Sequence, residues 1–246
     1  MRKKVIMLRS NPFKPDVRVY KEAKSLTKNG FEVKIVAWDR ECRFPVRETL
    51  DDITIVRIRV LSTYSRGLSQ LVKMIIFWIF AVNVLRKLKI DVIHCNDFDT
   101  LPIGVFFKSI RKTKLVYDAF ENYSTMIRMS TPRLICNIIN YVESLLLTKA
   151  DRIITASSEV KNKLSKRTSK PIETIGNWQE ITDKMLNNYV IQKRREVLGF
   201  DSNFIVGYIG NFSKQRKIIP MIEAVKRFSD VGAFICGDGP QRQEIE

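Results

Sequence analysis

The sequence predicts an α/β protein in which helices cover both faces of a parallel sheet, followed by a second unit built on the same plan. Three observations carry that expectation. Apolar β-rich runs alternate with segments of helical period along most of the chain, the pattern of successive βαβ units. The β-rich runs are apolar on both faces, as strands are when helices cover both sides of the sheet. Around residues 177–199 the alternation gives way to the polar, helix-prone stretch NWQEITDKMLNNYVIQKRREVLG, and it then restarts.

Taken in order, the elements begin with the strand VIMLR and a helix over 17–29. Asp16 stands just before that helix as an N-cap, and Gly30 suits its C-terminal turn. The strands FEVKIVAW and ITIVRIRVL follow, then a long helix near 68–89, the strand DVIHC and a helix over 101–110. KLVYDA, a helix over 134–148, RIITA, a helix over 158–166 and IETIG complete the first series. The second series is NFIVGYIG, a helix from about 216 to 228, and GAFICGDGP. These boundaries predict a first domain over 1–178, a hinge over 179–199 and a second domain over 200–246. Two strands do not make a covered parallel sheet, so the second domain is expected to be incomplete.

Composition limits the functional classes. At 45% hydrophobic and 10% aromatic residues, the chain has the material for a core and is not of disordered type. With 43 Lys+Arg against 26 Asp+Glu, the net charge of +17 favours anionic partners: phosphorylated substrates, polyanions or an anionic membrane surface. No zinc-finger spacing, RNP-type strand or basic zipper is visible, so no nucleic-acid partner is expected. Cys42, Cys95, Cys136 and Cys236 are far apart, and Cys95 and Cys236 lie in runs that read as buried strands, which points to core thiols in a reducing cytoplasm. The apolar stretch at the N-terminus is too short for a signal peptide, so secretion is not expected. The run from Leu71 to Leu85 is too short to span a bilayer. Flanked by Arg66, Lys73, Arg86, Lys87 and Lys89, it reads as a buried helix in preference to an interfacial one at the inner face of the membrane.

In open α/β sheets, ligands bind beyond the carboxyl ends of the strands. Asn96, Asp97 and Asp99 follow DVIHC, while Glu121, Asn122 and Tyr123 follow KLVYDA. Carboxylates at two neighbouring strand ends suit a polar ligand, although each taken singly also serves as a helix cap. His94, the only histidine, reads as a satisfied core residue. In the second series Gly210 ends a strand, and Lys214, Arg216 and Lys217 gather at the next helix start, in outline a phosphate site. Neither established phosphate-loop spacing is present. Gly237, Asp238 and Gly239 repeat the strand–turn–helix logic, for which a tight turn is the plain alternative.

Five segments, in order, resemble one family. DVRVYKEAKSLTKNGFEVKIVAW, DVIHCNDFDTLPIG, VYDAFENY, RIITASSEVKNKL with IETIGN, and FIVGYIGNFSKQRKIIPMIEAV with FICGDGPQRQEIE together resemble the family-four retaining glycosyltransferases. The resemblance implies a GT-B type fold, with a Rossmann-like N-terminal acceptor domain and the beginning of a Rossmann-like donor domain. It implies that Gly210, Arg216 and Lys217, with the turn of Gly237, Asp238 and Gly239, bind the donor diphosphate without a metal or other cofactor. Asp97 and Glu121 are the catalytic candidates, and Asp16, Asn96, Asp99 and Asp118 face the acceptor. The implied partners are a nucleotide-diphosphate sugar, a glycan or lipid-linked acceptor, and a separate chain completing the donor domain. Three positions depart from the family pattern: its usual histidines are Phe120 and Asn96, and the arginine after the turn glycine is Asn211. The glutamate-rich donor motif has no counterpart up to Glu246, so the chain alone is expected to be inactive. A catalytically degenerate scaffold subunit and, behind it, a sugar-nucleotide epimerase are the alternative readings.

Overall fold

A computed structural model of the chain describes residues 2–14, 16–62, 68–120, 123, 132–178, 199 and 204–246. It divides into two compact units, Met1–Asn177 and Trp178–Glu246. The first unit runs β1 (Lys4–Arg9), α1 (Val17–Lys28), β2 (Glu32–Asp39), β3 (Arg47–Leu50), β4 (Ile53–Arg59), α2 (Leu68–Arg86), β5 (Val92–Asn96), α3 (Leu101–Ile110), β6 (Lys114–Ala119), α4 (Arg133–Leu147), β7 (Arg152–Thr155), α5 (Ser158–Ser165) and β8 (Ile172–Thr174). Its eight strands are ordered β3-β4-β2-β1-β5-β6-β7-β8. All neighbours are parallel except β3, which pairs antiparallel with β4. From β1 the sheet grows one way through β2 and β4 and the other way through β5. The order therefore reverses between β1 and β5, and a crevice opens at their carboxyl ends.

The alternation of side chains along β1 divides the core between the two faces of the sheet. Val5 and Met7 pack with Val19 and Ala23 of α1 and with Ile35. Ile6 and Leu8 belong to the opposite layer, with Trp38, Phe77 and Ile93. Asp16 caps α1 as expected, accepting from the Val19 N–H at 3.2 Å. At the other end Gly30 takes φ +82°, and the Phe31 N–H returns to the Leu26 carbonyl at 3.1 Å. That left-handed turn is open to glycine at little cost.

Helix α2 is only half what the apolar run predicts. Phe77, Ala81 and Leu85, spaced one turn apart, are fully buried, and the Phe77 ring stacks on Trp38 with centroids 4.9 Å apart. Leu71, Val72, Ile75, Ile79 and Phe80 are exposed. The helix is apolar on faces that one sheet cannot all cover. No helix among the described residues is long and apolar enough to cross a membrane.

Strand β3 is not anticipated by the sequence, because Arg47-Glu48-Thr49-Leu50 lacks an apolar run. A charged edge is what keeps an outer strand from pairing further. Glu48 holds this edge through Arg57 at 2.8 Å and Lys14 at 3.0 Å.

The second unit contains β9 (Phe204–Asn211), a 3-10 turn at Lys214–Arg216, α6 (Ile218–Val225), β10 (Val231–Asp238) and α7 (Arg242–Ile245). Strands β9 and β10 pair in parallel from Phe204↔Val231 to Asn211↔Asp238. Cys236, read from the sequence as a core thiol, is exposed, because β10 is only partly covered by the described residues; Cys95 and Cys136 are buried. The expected hinge, 179–199, lies outside the described residues apart from Gly199.

The two faces of α2 predict unequal responses to truncation. Phe77→Ala should lower stability by about 3–5 kcal/mol, as other buried phenylalanines do. Ile79→Ala, on the exposed face, should change it by only about 0.5 kcal/mol. Urea midpoints followed by tryptophan fluorescence measure both, and equal losses would contradict this burial pattern.

Candidate functional site

The crevice at the β1–β5 reversal gathers most of the first unit's sequence-predicted residues. Arg9 ends β1, and its Nε donates to Asp16 Oδ2 at 2.7 Å while its Nη1 contacts the Asp97 carboxylate. The Asn11 amide donates to the same Asp16 oxygen at 2.9 Å. The N-cap carboxylate of α1 thus also fixes the loop after β1. Asp97 follows β5 with φ +65°, a left-handed conformation uncommon outside glycine and frequent at functional sites. Burial raises its carboxyl to about 6 even though Arg9 pulls the other way. At neutral pH it remains an ionised partner that orients Arg9.

One strand over, Asp118 on β6 takes a two-pronged ion pair from Arg18, with Nε and Nη2 each 2.9 Å from a carboxylate oxygen. Arg18 Nη1 donates to the Ile175 carbonyl at 2.6 Å, and the guanidinium stands 5.4 Å from the centre of the Phe120 ring. Together with Asn96, these groups line a pocket of about 260 Å³. Its size is close to the lower limit of ~300 Å³ for small-molecule sites, so it suits a fragment the size of a single polar ring. Asn96 donates to the Leu8 carbonyl at 3.0 Å, while its buried Oδ1 has no partner among the described residues. A larger groove of about 620 Å³ runs beside α2, but carboxylates are absent from its lining. The smaller pocket is the better site because charged groups of both signs converge on it.

Asp99 is not among the pocket's lining residues. Burial raises the pKa of its carboxyl against the opposing pull of a Ser10 hydrogen bond, and its carbonyl accepts from Trp78 Nε1 at 2.7 Å. Glu121 and Asn122 lie outside the described residues, and Tyr123 packs against Phe98 with ring centroids 5.3 Å apart.

Sequence reading missed the groups beneath this pocket. Glu22, one turn along α1 from Arg18, places Oε1 3.1 Å from Arg18 Nε and Oε2 3.7 Å from His94 Nε2. Burial, reinforced by the Asp118 charge, pushes the Glu22 carboxyl up to about 8. Burial also lowers the His94 pKa, which keeps the imidazole neutral. His94 is a core residue as expected, but it is not satisfied: its buried Nε2 has no hydrogen-bond partner among the described residues. Glu22, His94 and Asp118 bring ligand-type atoms within 4.8 Å of one another. Arg18 already engages both Asp118 oxygens, so the positive charge that a metal would bring is supplied by the chain itself.

In the second unit, Gly210 does not form a turn: it is the penultimate residue of β9, paired with Gly237 of β10, and Arg216 and Lys217 follow in and after the 3-10 turn. Lys217 is in the left-handed region at φ +55° and immediately precedes α6. Both side chains are exposed, and neither has a carboxylate partner among the described residues. Gly237 and Gly239 have a packing reason to be glycine. A Cβ at Gly237 would fall 1.9 Å from the Gly210 carbonyl oxygen, and one at Gly239 would fall 2.7 Å from the Phe212 backbone. The Asp238 carboxylate accepts from the Gly239 N–H at 2.8 Å and so closes its own turn. Of the six residues expected at a phosphate, Arg216 and Lys217 are the ones whose charge is uncommitted.

The profile described as Glycosyltransferase Family 4 matches residues 16–179. No curated protein matches. Among solved structures, sucrose-phosphate synthase from Thermosynechococcus elongatus has TM-score 0.77 at 15% identity, over 98% of this chain and 64% of that one. An Anabaena protein, HepE in complex with UDP and glucose, gives 0.65 at 15% identity, over 99% and 63%. The lipopolysaccharide outer core galactosyltransferase WaaB in apo form gives 0.61 at 13% identity, over 98% and 63%. Likeness at these identities shows the fold, which is α/β of GT-B type. The chain spans a little under two thirds of the length of these neighbours.

The Glu22 carboxyl makes stability depend on pH. Its ordinary value is 4.5, and in the folded chain it lies at about 8. Between those values the folded state holds a proton that the unfolded state has released, so stability falls as pH rises through that window. Glu22→Gln should flatten the fall in melting temperature from pH of about 5 to about 8 relative to the parent. Parallel melting curves for the two proteins would show that Glu22 titrates normally.

Proposed function

The chain belongs to glycosyltransferase family 4, and we propose that it moves a sugar from a nucleoside-diphosphate donor to a glycan or lipid-linked acceptor. In this reading the transfer retains the anomeric configuration and uses no metal. The observation that carries it is the pair of cations, Arg216 and Lys217, uncommitted among the described residues, in the connection from β9 to the start of α6. As the bond from the sugar's anomeric carbon to the diphosphate breaks, negative charge grows on the departing oxygens. Cations already in place stabilise that charge without reorganising. The complex of Anabaena HepE with UDP and glucose supports a nucleotide of this class.

The first-unit pocket would take the acceptor. Asp16 and Asp118 offer carboxylate oxygens to sugar hydroxyls, Arg9 and Arg18 offer N–H groups, and Phe120 gives an apolar face for a ring. Asp97 acts by holding Arg9, and Glu121 is the second proposed catalytic carboxylate. A cytoplasmic location accords with thiols kept in a reducing compartment.

Phe120 favours a second reading, a catalytically degenerate subunit. A phenyl ring neither donates a hydrogen bond nor moves a proton, and this one lies against Arg18 in the pocket. Such a protein would bind donor without turnover.

Titration calorimetry with UDP-, GDP- and ADP-sugars tests the main reading. One donor should bind, and Arg216→Ala with Lys217→Ala should weaken it by roughly tenfold or more, the loss expected for charge-assisted hydrogen bonds. Unchanged affinity in the double variant would remove these residues from the site. Binding without release of nucleoside diphosphate across an acceptor panel, even with a chain that completes the donor domain supplied, would favour the degenerate subunit.

A further inference from the structure

The outward face of α2 is apolar, grooved and free of acidic residues. Ile75, Ile79 and Phe80 are 49%, 55% and 51% exposed on a helix whose opposite side is fully buried. Beside it, Phe106 of α3 is also exposed, and the two helices enclose a groove of about 390 Å³ lined by Ile75, Trp78, Ile79, Val82, Ile103 and Phe106. The 620 Å³ groove on the other flank of α2 is bounded by Phe80, Val84 and Leu88, with Lys34, Arg47 and Lys87 at its rim. Contiguous exposed apolar surface of this kind marks an interaction site.

Charge narrows the choice of partner. No Asp or Glu occurs between Asp52 and Asp91, nor between Asp99 and Asp118, so α2 and α3 carry none. Lys73, Arg86, Lys87 and Lys89 lie on or just after α2, and none has a carboxylate partner among the described residues. A second copy of a chain with net charge +17 would bring like charge to the same face. An apolar helix side with unpaired cations beside it instead complements a bilayer whose headgroups are negative.

We propose that α2 and α3 form a docking face for an anionic lipid surface, on which Ile75, Ile79, Phe80 and Phe106 enter the headgroup–acyl boundary while Lys87 and Lys89 meet lipid phosphates. The helix does not span; it lies along the surface with Phe77, Ala81 and Leu85 still seated on the sheet. This inference stands apart from the sugar-transfer reading, because it uses none of the proposed donor or acceptor residues.

Flotation of the full chain with vesicles tests it. The chain should float with phosphatidylcholine vesicles containing phosphatidylglycerol, should stay down with phosphatidylcholine alone, and should be released by salt. Lys87→Glu with Lys89→Glu should weaken binding by roughly fivefold or more per lysine. Ile75→Glu with Ile79→Glu should abolish it, and both variants should keep the parent's melting temperature because all four side chains are exposed. Equal flotation with neutral and anionic vesicles, or variants that float like the parent, would overturn the proposal. So would a dimer that the Ile75→Glu, Ile79→Glu change converts to monomer, since the face would then be a contact between copies.

Discussion

The buried guanidinium of Arg18 is the interaction on which the first unit's candidate site depends. It joins α1 to β6 through Asp118 and reaches the carbonyl of Ile175 beyond β8, so three segments distant in sequence meet on one cation. A buried ion pair is no guarantee of net stability, because desolvation offsets much of the attraction. Its consequence is geometric. Removing either partner would leave a charge uncompensated in the core, a loss of about 3–5 kcal/mol in comparable pairs. The pocket wall is therefore tied at once to α1, β6 and the segment after β8. Glu22 and His94 sit beneath this pair as neutral or nearly neutral groups. That state follows from burial beside a charge already balanced by Arg18 and Asp118.

A second constraint appears at both candidate sites. Asp97 and Lys217 are non-glycine residues held in left-handed backbone conformations, at the end of β5 and at the start of α6. Such conformations persist only where the surroundings enforce them, at about 1–3 kcal/mol each. At Asp97 the enforcement is visible: its N–H donates to the Asp118 carbonyl at 3.0 Å, and its carboxylate is taken by Arg9. The strained backbone aims the carboxylate across the reversal between β1 and β5, where an open α/β sheet binds its ligand.

Most strands and helices were legible because burial on both sheet faces writes itself as apolar runs, and VIMLR, DVIHC and KLVYDA became β1, β5 and β6 within a residue or so. Asp97 was legible for a related reason, since it stands just past the end of DVIHC; Asp16 was legible as a helix cap, and Asp118 through the family resemblance. Arg18 and Glu22 were not. On an amphipathic helix a polar residue one turn from another reads as solvent-facing, and only the tertiary fold shows that both point into the crevice. Strand β3 escaped because an edge strand shields itself with charge instead of apolar side chains. The exposure of Ile75 and Ile79 was hidden by the opposite effect, since a helix apolar on every side carries no periodic mark of which side the sheet covers.

In the proposed function, the diphosphate of an activated sugar is held by Arg216 and Lys217 in the connection from β9 to α6. A crystal structure of the chain with a bound nucleotide sugar tests this most directly. Diphosphate oxygens should lie within hydrogen-bond distance of Arg216 and Lys217 at the start of α6. Diphosphate held at other residues, with those two side chains still in solvent, would contradict it.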